Sequence, residues 1–290
     1  MRAGAARTAR RGAADGRDAQ AAARSARTRM TRGSRGPDPA QLATVRDGFG
    51  VADEQVLRDH AISHVLAAIA DSDVQDQLVF IGGTALSRTF LPDLRLSEDI
   101  DLLATGPRAA VAAAIEDAVR RGLQRTHGPT TWQPPIASTR GAQSSVLLVG
   151  DDIRIRVQLL AAAGYPAWPG ERRQIEQRYS DAPPATLTTP TAPAFAAWKT
   201  VTWMDRHAPR DLYDLWGLGR AGHIDAEAAL LFRKHGPTAG PVQPWMFDRA
   251  PGRTDWTTAL SHQGRIEVGP EEARDQVRAW WNDAVAAAST

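Results

Sequence analysis

Residues 82–101 read Gly-Gly-Thr-Ala-Leu-Ser-Arg-Thr-Phe-Leu-Pro-Asp-Leu-Arg-Leu-Ser-Glu-Asp-Ile-Asp, directly after an apolar run at residues 78–81. That run is a short buried strand, and Gly82-Gly83-Thr84 is the turn that ends it. Thr84 to Phe90 follows as a short helix, stopped near Pro92. Glu98 to Leu103 then alternates acidic and apolar residues, as a half-buried strand does. Paired glycines let backbone approach an anion closely, and the helix start offers free N–H groups to it. Thr84 adds a hydroxyl. Asp99 and Asp101 are alternate strand residues, so both carboxylates project from one face. Two like charges so close repel unless a cation sits between them. Mg²⁺ suits the place, because it takes oxygen ligands and is commonly shared with substrate phosphates. A plain turn and a solvated strand face would explain either motif alone. Their adjacency points to nucleotidyl transfer.

Outward from this stretch, the chain alternates helical and strand patterns. Apolar residues recur at helical spacing through 38–70, and Ala109 to Gly122 reads as an Ala-rich helix. Residues 126–142 are rich in Pro, Gly and Thr and read as loop. Ser145 to Leu160 reads as two strands around Gly150-Asp151-Asp152, a hairpin. Five prolines between residues 164 and 190 suggest a linker or an irregular crossing. Helices are expected at about 191–206, 210–220, 225–236 and 270–287, with ordered loops and a short hairpin across 237–269. The expectation is an α+β fold: a core at 38–163 with a small mixed sheet and helices, a Pro-rich linker at 164–190 and a helical C-terminal lobe at 191–290.

Charge separates the N-terminus from the rest. Residues 1–29 carry eight Arg and two Asp, a net of +6, which leaves −4 of the chain's +2 for residues 30–290. This Ala/Arg/Gly-rich stretch has no large apolar residue before Met30, and residues 1–37 read as a disordered basic tail. It is a nucleic-acid-binding arm, a transit peptide, or sequence upstream of a true start at Met30, the last being preferred. The absence of cysteine excludes disulfides and thiolate metal sites, and a reducing cytoplasm fits. No apolar run reaches the roughly 18 residues that span a bilayer.

Of the 35 basic residues only Lys199 and Lys234 are Lys, so a lysine in a motif gains weight. Lys199 and Arg206 lie seven apart on one helix and share a face that can present two cations to a triphosphate. Asp211 and Asp214 lie one turn apart after Pro209, where the helix dipole alone favours an acid. Asp214 reads as that kind of residue; for Asp211 a functional role is equally open. The seven histidines show no metal-site spacing, and His60 and His64 read as helix-surface or boundary residues. Tryptophans 198, 203, 216, 280 and 281 read as packing of the helical lobe.

Gly82-Gly83-Thr84, Arg95-x-Ser97-x-Asp99-x-Asp101, Lys199 and Arg210-Asp211-Leu-Tyr-Asp214 occur in an order that resembles the AbiEii/AbiGii-type nucleotidyltransferase toxins, which include the MenT toxins. The resemblance covers residues 40–235. It implies a polymerase-β-like nucleotidyltransferase core and an NTP as substrate. It implies Mg²⁺ on Asp99 and Asp101, with Gly82, Gly83, Thr84 and Ser97 at the nucleotide. It makes Lys199, with Arg206, a phosphate contact, and Asp211 essential for catalysis. The implied acceptor is the 3′ end of tRNA, and the implied partner is a winged-helix, AbiEi-like antitoxin. A tRNA needs a basic groove, for which Arg88, Arg95, Arg154 and Arg156 are candidates. One departure stands out. Many nucleotidyltransferases place a third carboxylate on a later strand, where this chain has Gln158. A glutamine cannot act as a base, so Asp211 takes that role, or one metal suffices, or the chain binds nucleotide without catalysis; transfer to a small molecule or a protein is a separate alternative.

Overall fold

The computed structural model describes residues 37–290, which cluster as one compact unit. The expected basic tail lies outside the described residues. Helix α1 (Pro39–Phe49) starts at Asp38, whose side chain accepts from Ala40 N, and stops at Gly50, left-handed at φ 70°. Helix α2 (Asp53–Ala70) follows, so the helical pattern of 38–70 is two helices with a glycine break. Strand β1 (Leu78–Ile81) runs into the short α3 (Gly82–Ser87), then come β2 (Asp99–Ala104) and α4 (Arg108–Leu123). Strands β3 (Thr130–Gln133), β4 (Ser145–Val149) and β5 (Ile153–Ala161) complete a five-stranded sheet of order β1-β2-β5-β4-β3. Only β2 and β5 pair in parallel, so the sheet is mixed.

Alternation along the strands sorts the two faces. Phe80, Ile100, Leu102, Ile155, Val157 and Leu159 enter the main core with Ile62, Val65 and Leu66 of α2 and Val111 and Ile115 of α4. On the other face Ile81, Leu103 and Leu160 form a smaller apolar patch under Trp198, and Asp99 and Asp101 continue that face along β2. The register sets Asp99 beside Arg156 and Asp101 beside Gln158. The β4–β5 hairpin is where the sequence pattern places it.

Two expectations about the strands need correction. The stretch 126–142 is not all loop: it contains β3 at the sheet edge, four residues too short and too polar to announce themselves. Residues 164–190 hold an antiparallel ribbon, β6 (Gly170–Gln174) with β7 (Thr186–Pro190), rather than irregular chain. Its prolines lie outside the ladder or at its last position, where a missing N–H does no harm.

Helices α5 (Ala192–Arg206), α6 (Pro209–Arg220), α7 (Ala226–His235), α8 (Arg253–Leu260) and α9 (Pro270–Ala287) follow. Helix α8 replaces the expected hairpin within 237–269. Tryptophans 203, 216 and 281 are buried among these helices, and Trp203 Nε1 donates to Met246 O at 2.9 Å. Trp198 and Trp280 are half-buried and pack at the edges of the apolar clusters.

Candidate active site

The site forms where the β1–α3 turn meets β2. Gly82 adopts φ 80°, and a Cβ there would overlap Asp101 Oδ2. Glycine therefore serves twice: it takes a left-handed conformation and leaves room for the carboxylate. A Cβ on Gly83 would come to 2.8 Å from Arg95 Nη2 and 3.1 Å from Ser97 Oγ, so the second glycine allows the motif's halves to close on each other. Thr84 is buried, and its hydroxyl donates to the Asp99 carbonyl. That bond ties the turn to β2 and engages the hydrogen that was expected to face a phosphate. Ser97 is buried beside Gly83.

Behind the aspartates lies a chain of ion pairs built by α5 and α6. Lys199 Nζ is 3.1 Å from Asp211 Oδ1 and 2.7 Å from Asp214 Oδ2. Arg206 grips Asp211 through Nε at 2.7 Å and Nη2 at 2.9 Å. Arg95 holds Asp214 in the two-pronged geometry that suits a guanidinium, both bonds being 2.8 Å, and donates to Gln263 Oε1 at 2.7 Å. Both carboxylates are buried, as are Lys199 and Arg95, while much of Arg206 is exposed. Three cations against two anions leave a net positive charge. It acts on Asp101, whose carboxyl is pulled down by Lys199 and Arg206 but pushed up more strongly by burial and by Asp99, to about 6. Asp211 shows the opposite balance. Burial pushes it up, yet Lys199 and Arg206 together hold it at about 2.

The structure thus brings Gly82, Gly83, Thr84, Ser97, Asp99 and Asp101 to one turn, and joins Lys199, Arg206 and Asp211 in one network beside it. Asp214, read from sequence as a helix-dipole acid, instead sits buried between Arg95 and Lys199. Its signal was present: acids one turn apart on a helix that also buries Leu212 and Leu215 demand buried cations. Gln263 comes from a loop that gave no signal. The basic-groove expectation divides. Arg88 is fully buried against Asp59 at 2.7 Å, and Arg95 is buried against Asp214, so neither lines a groove. Arg154 and Arg156 are exposed on the strand face that carries Asp99, with Arg156 Nε 3.8 Å from Asp99 Oδ1. Gln158 lies on this face too, and its amide donates to Ala142 O. His60 and His64 are buried, not surface residues.

A family model described as the nucleotidyl transferase AbiEii toxin of type IV toxin–antitoxin systems matches residues 64–280. The chain belongs to this family. It is therefore a nucleotidyltransferase, and AbiEii membership agrees with the α+β architecture around the glycine turn. Among solved structures, a crystal structure from H. pylori, provisionally described as a nucleotidyltransferase, superposes with a TM-score of 0.54 at 13% identity. The match covers 82% of this chain and 98% of that one, and at this identity it speaks for the fold. A comparison with curated proteins finds no match.

Proposed function

We propose that this AbiEii-family chain transfers a nucleotidyl group from an NTP to the 3′ end of tRNA, using Mg²⁺ held by Asp99 and Asp101. The observation that carries the reading is that the two carboxylates share a face beside the glycine turn and that Asp101 lies in the field of Lys199 and Arg206. The donor set fits the ion: of two adjacent carboxylates, Asp101 is pushed up to about 6 by burial and by Asp99 despite the nearby Lys199, Arg206 and Arg156, and a divalent cation would relieve that repulsion. When bound, Mg²⁺ would neutralise phosphate oxygens and orient the triphosphate.

The remaining work falls to the chain's own groups. The backbone at Gly82 and Gly83 lets phosphate approach the turn. Lys199 has three N–H donors, and two face Asp211 and Asp214, which leaves one for a phosphate oxygen. Arg206 keeps further donors while Nε and Nη2 bind Asp211. The acceptor oxygen attacks the α-phosphorus, a new O–P bond forms, and the bond to the pyrophosphate oxygen breaks. The hydroxyl proton passes to solvent. Lys199 and Arg206 offset the charge that grows on pyrophosphate. Asp211 is a poor base at about 2, with both oxygens bound to cations, so we assign it a positioning role: it aims Lys199 and Arg206. Exposed Arg154 and Arg156 offer phosphate contacts to tRNA. The family assignment implies an antitoxin partner, for which a winged-helix protein encoded nearby is the expectation, and cytoplasm as the compartment. Among the described residues no helix is long and apolar enough to cross a membrane.

Gln158 favours one alternative. It stands beside Asp101 where a third carboxylate would assist the acceptor, and its amide is engaged with Ala142. On that reading the chain binds nucleotide without transferring it. Incubation with labelled NTPs, Mg²⁺ and total tRNA separates the two. Label on tRNA supports transfer; label on protein or a small molecule assigns another acceptor; nucleotide binding without any labelled product supports the alternative.

A further inference from the structure

A second polar cluster lies away from the aspartate site, on α2. His60 and His64 occupy successive turns of that helix and are both buried, at 2% and 5% exposure. Asp181, from the connection between β6 and β7, reaches them with Oδ2 3.0 Å from His60 Nε2 and 3.4 Å from His64 Nε2. Among the described residues this is a group in which one ligand atom from each of three side chains falls within 4.8 Å of the others. We propose that His60, His64 and Asp181 bind a divalent transition-metal ion, with Zn²⁺ the best fit, at a site separate from the Asp99–Asp101 pair.

Four observations support the site. Ligands about 2.0–2.1 Å from a tetrahedral zinc stand about 3.3 Å from one another; the two separations to Asp181 bracket that value, and all three ligand atoms lie within 4.8 Å of one another, so binding draws the two imidazoles together. His64 Nε2 is buried with no hydrogen-bond partner. A metal-free arrangement can pair His60 Nε2–H with Asp181 and His60 Nδ1 with His127 Nε2 at 3.1 Å, yet it leaves His64 Nε2 with only the 3.4 Å approach to Asp181 and no well-aligned hydrogen bond. An ion gives that lone pair a use. His127 is placed to fix the ring of His60: accepting from His60 Nδ1–H, it presents the Nε2 lone pair toward Asp181. Last, His64 borders a cavity of about 340 Å³ lined also by Ala67, Asp71, Gln75 and Pro183, so open space lies on one side of the cluster.

Two imidazoles and a carboxylate select zinc-like ions over Mg²⁺, which prefers an all-oxygen shell. The ligands come from α2 and from the ribbon connection, 121 residues apart for His60 and Asp181. Zn²⁺ would therefore fasten the β6–β7 ribbon to α2. Its role is structural, and the aspartate site does not depend on it for chemistry.

The test uses untagged full-length protein, dialysed against metal-free buffer and titrated with Zn²⁺ and with Co²⁺. The expected result is about one ion per chain for wild type and for Asp101→Asn, and less than about 0.1 for His64→Gln. Saturating Zn²⁺ should raise the wild-type Tm by roughly 5–10 °C and leave His64→Gln unmoved. Co²⁺ should give the intense visible absorption of a four-coordinate site in wild type, a readout that needs no variant to fold. Zinc binding that His64→Gln retains, zinc lost in Asp101→Asn, or no four-coordinate Co²⁺ spectrum in wild type would each overturn the proposal.

Discussion

Gly82 and Asp101 are tied to each other at the scale of single residues. The glycine's φ of 80° already disfavours a side chain, and a Cβ would overlap the Asp101 carboxylate. Gly82→Ala should lose about 1–3 kcal/mol of stability and most transferase activity, measured by urea unfolding and by turnover. Asp101 itself illustrates function held against stability. Its folded pKa of about 6 lies above the unfolded value of 3.8. Sign follows directly: the ionised form is disfavoured by folding, so the penalty is absent below pH 3.8, grows to about pH 6 and is full above it. Asp101→Asn should therefore raise the Tm at pH 7 in metal-free buffer, give no gain near pH 4, and abolish activity. A lower Tm at pH 7 would show that the carboxylate is not strained there. Asp211 runs the other way: its folded pKa of about 2 is below 3.8, so its contribution is present above about pH 4 and lost as pH falls through 2. Lys199→Met should destabilise by about 3–5 kcal/mol, because it strips a cation from two buried carboxylates, read as a shift in urea midpoint at constant slope.

At the scale of elements, the arginines sort by where their strand or helix points them. Arg154 and Arg156 alternate with the buried Ile155 and Val157 on β5 and stay in solvent on the aspartate face. Arg88, at the end of α3, turns inward to Asp59 of α2. Arg154→Ala and Arg156→Ala should each weaken tRNA binding and lower the salt slope by about 1, with Tm unchanged. Arg88→Met should cost about 3–5 kcal/mol and leave the salt slope alone. Sequence could not separate these cases, since an arginine reads the same until its partner 29 positions upstream is brought against it. What was legible was periodic or local: β1, the turn, β2, the β4–β5 hairpin and four of the C-terminal helices. What was not legible depended on distant pairing. Strand β3 exists because β4 offers an edge, and β6–β7 because each strand finds the other across proline-rich chain. The site divided the same way. Gly82 to Asp101 announced itself, whereas the buried roles of Arg95, Asp214 and Gln263 needed α6 folded against the turn.

At the scale of the whole molecule, residues 37–290 form one compact unit, and the helices after β7 share the main core with the sheet. Phe195, Trp203, Leu212 and Trp281 join Phe80 and Leu102 in one apolar cluster. A chain truncated to residues 37–290 should keep the full-length Tm and NTP affinity, checked by calorimetry. A truncated chain that aggregates or melts lower would show that the N-terminal stretch takes part in folding. The common core also explains how the Lys199–Asp211–Arg206 network can be held rigidly beside β2, as electrostatic stabilisation of a leaving group requires. The most direct test of nucleotidyl transfer is to compare α-labelled with γ-labelled NTP, Mg²⁺ and tRNA, using wild type and Asp99→Asn. Nucleotidyl transfer puts α-label on the RNA 3′ end, releases γ-label as pyrophosphate, and falls by at least about 10²-fold in the variant. Label from the γ-position on the acceptor, or Asp99→Asn as active as wild type, would contradict it.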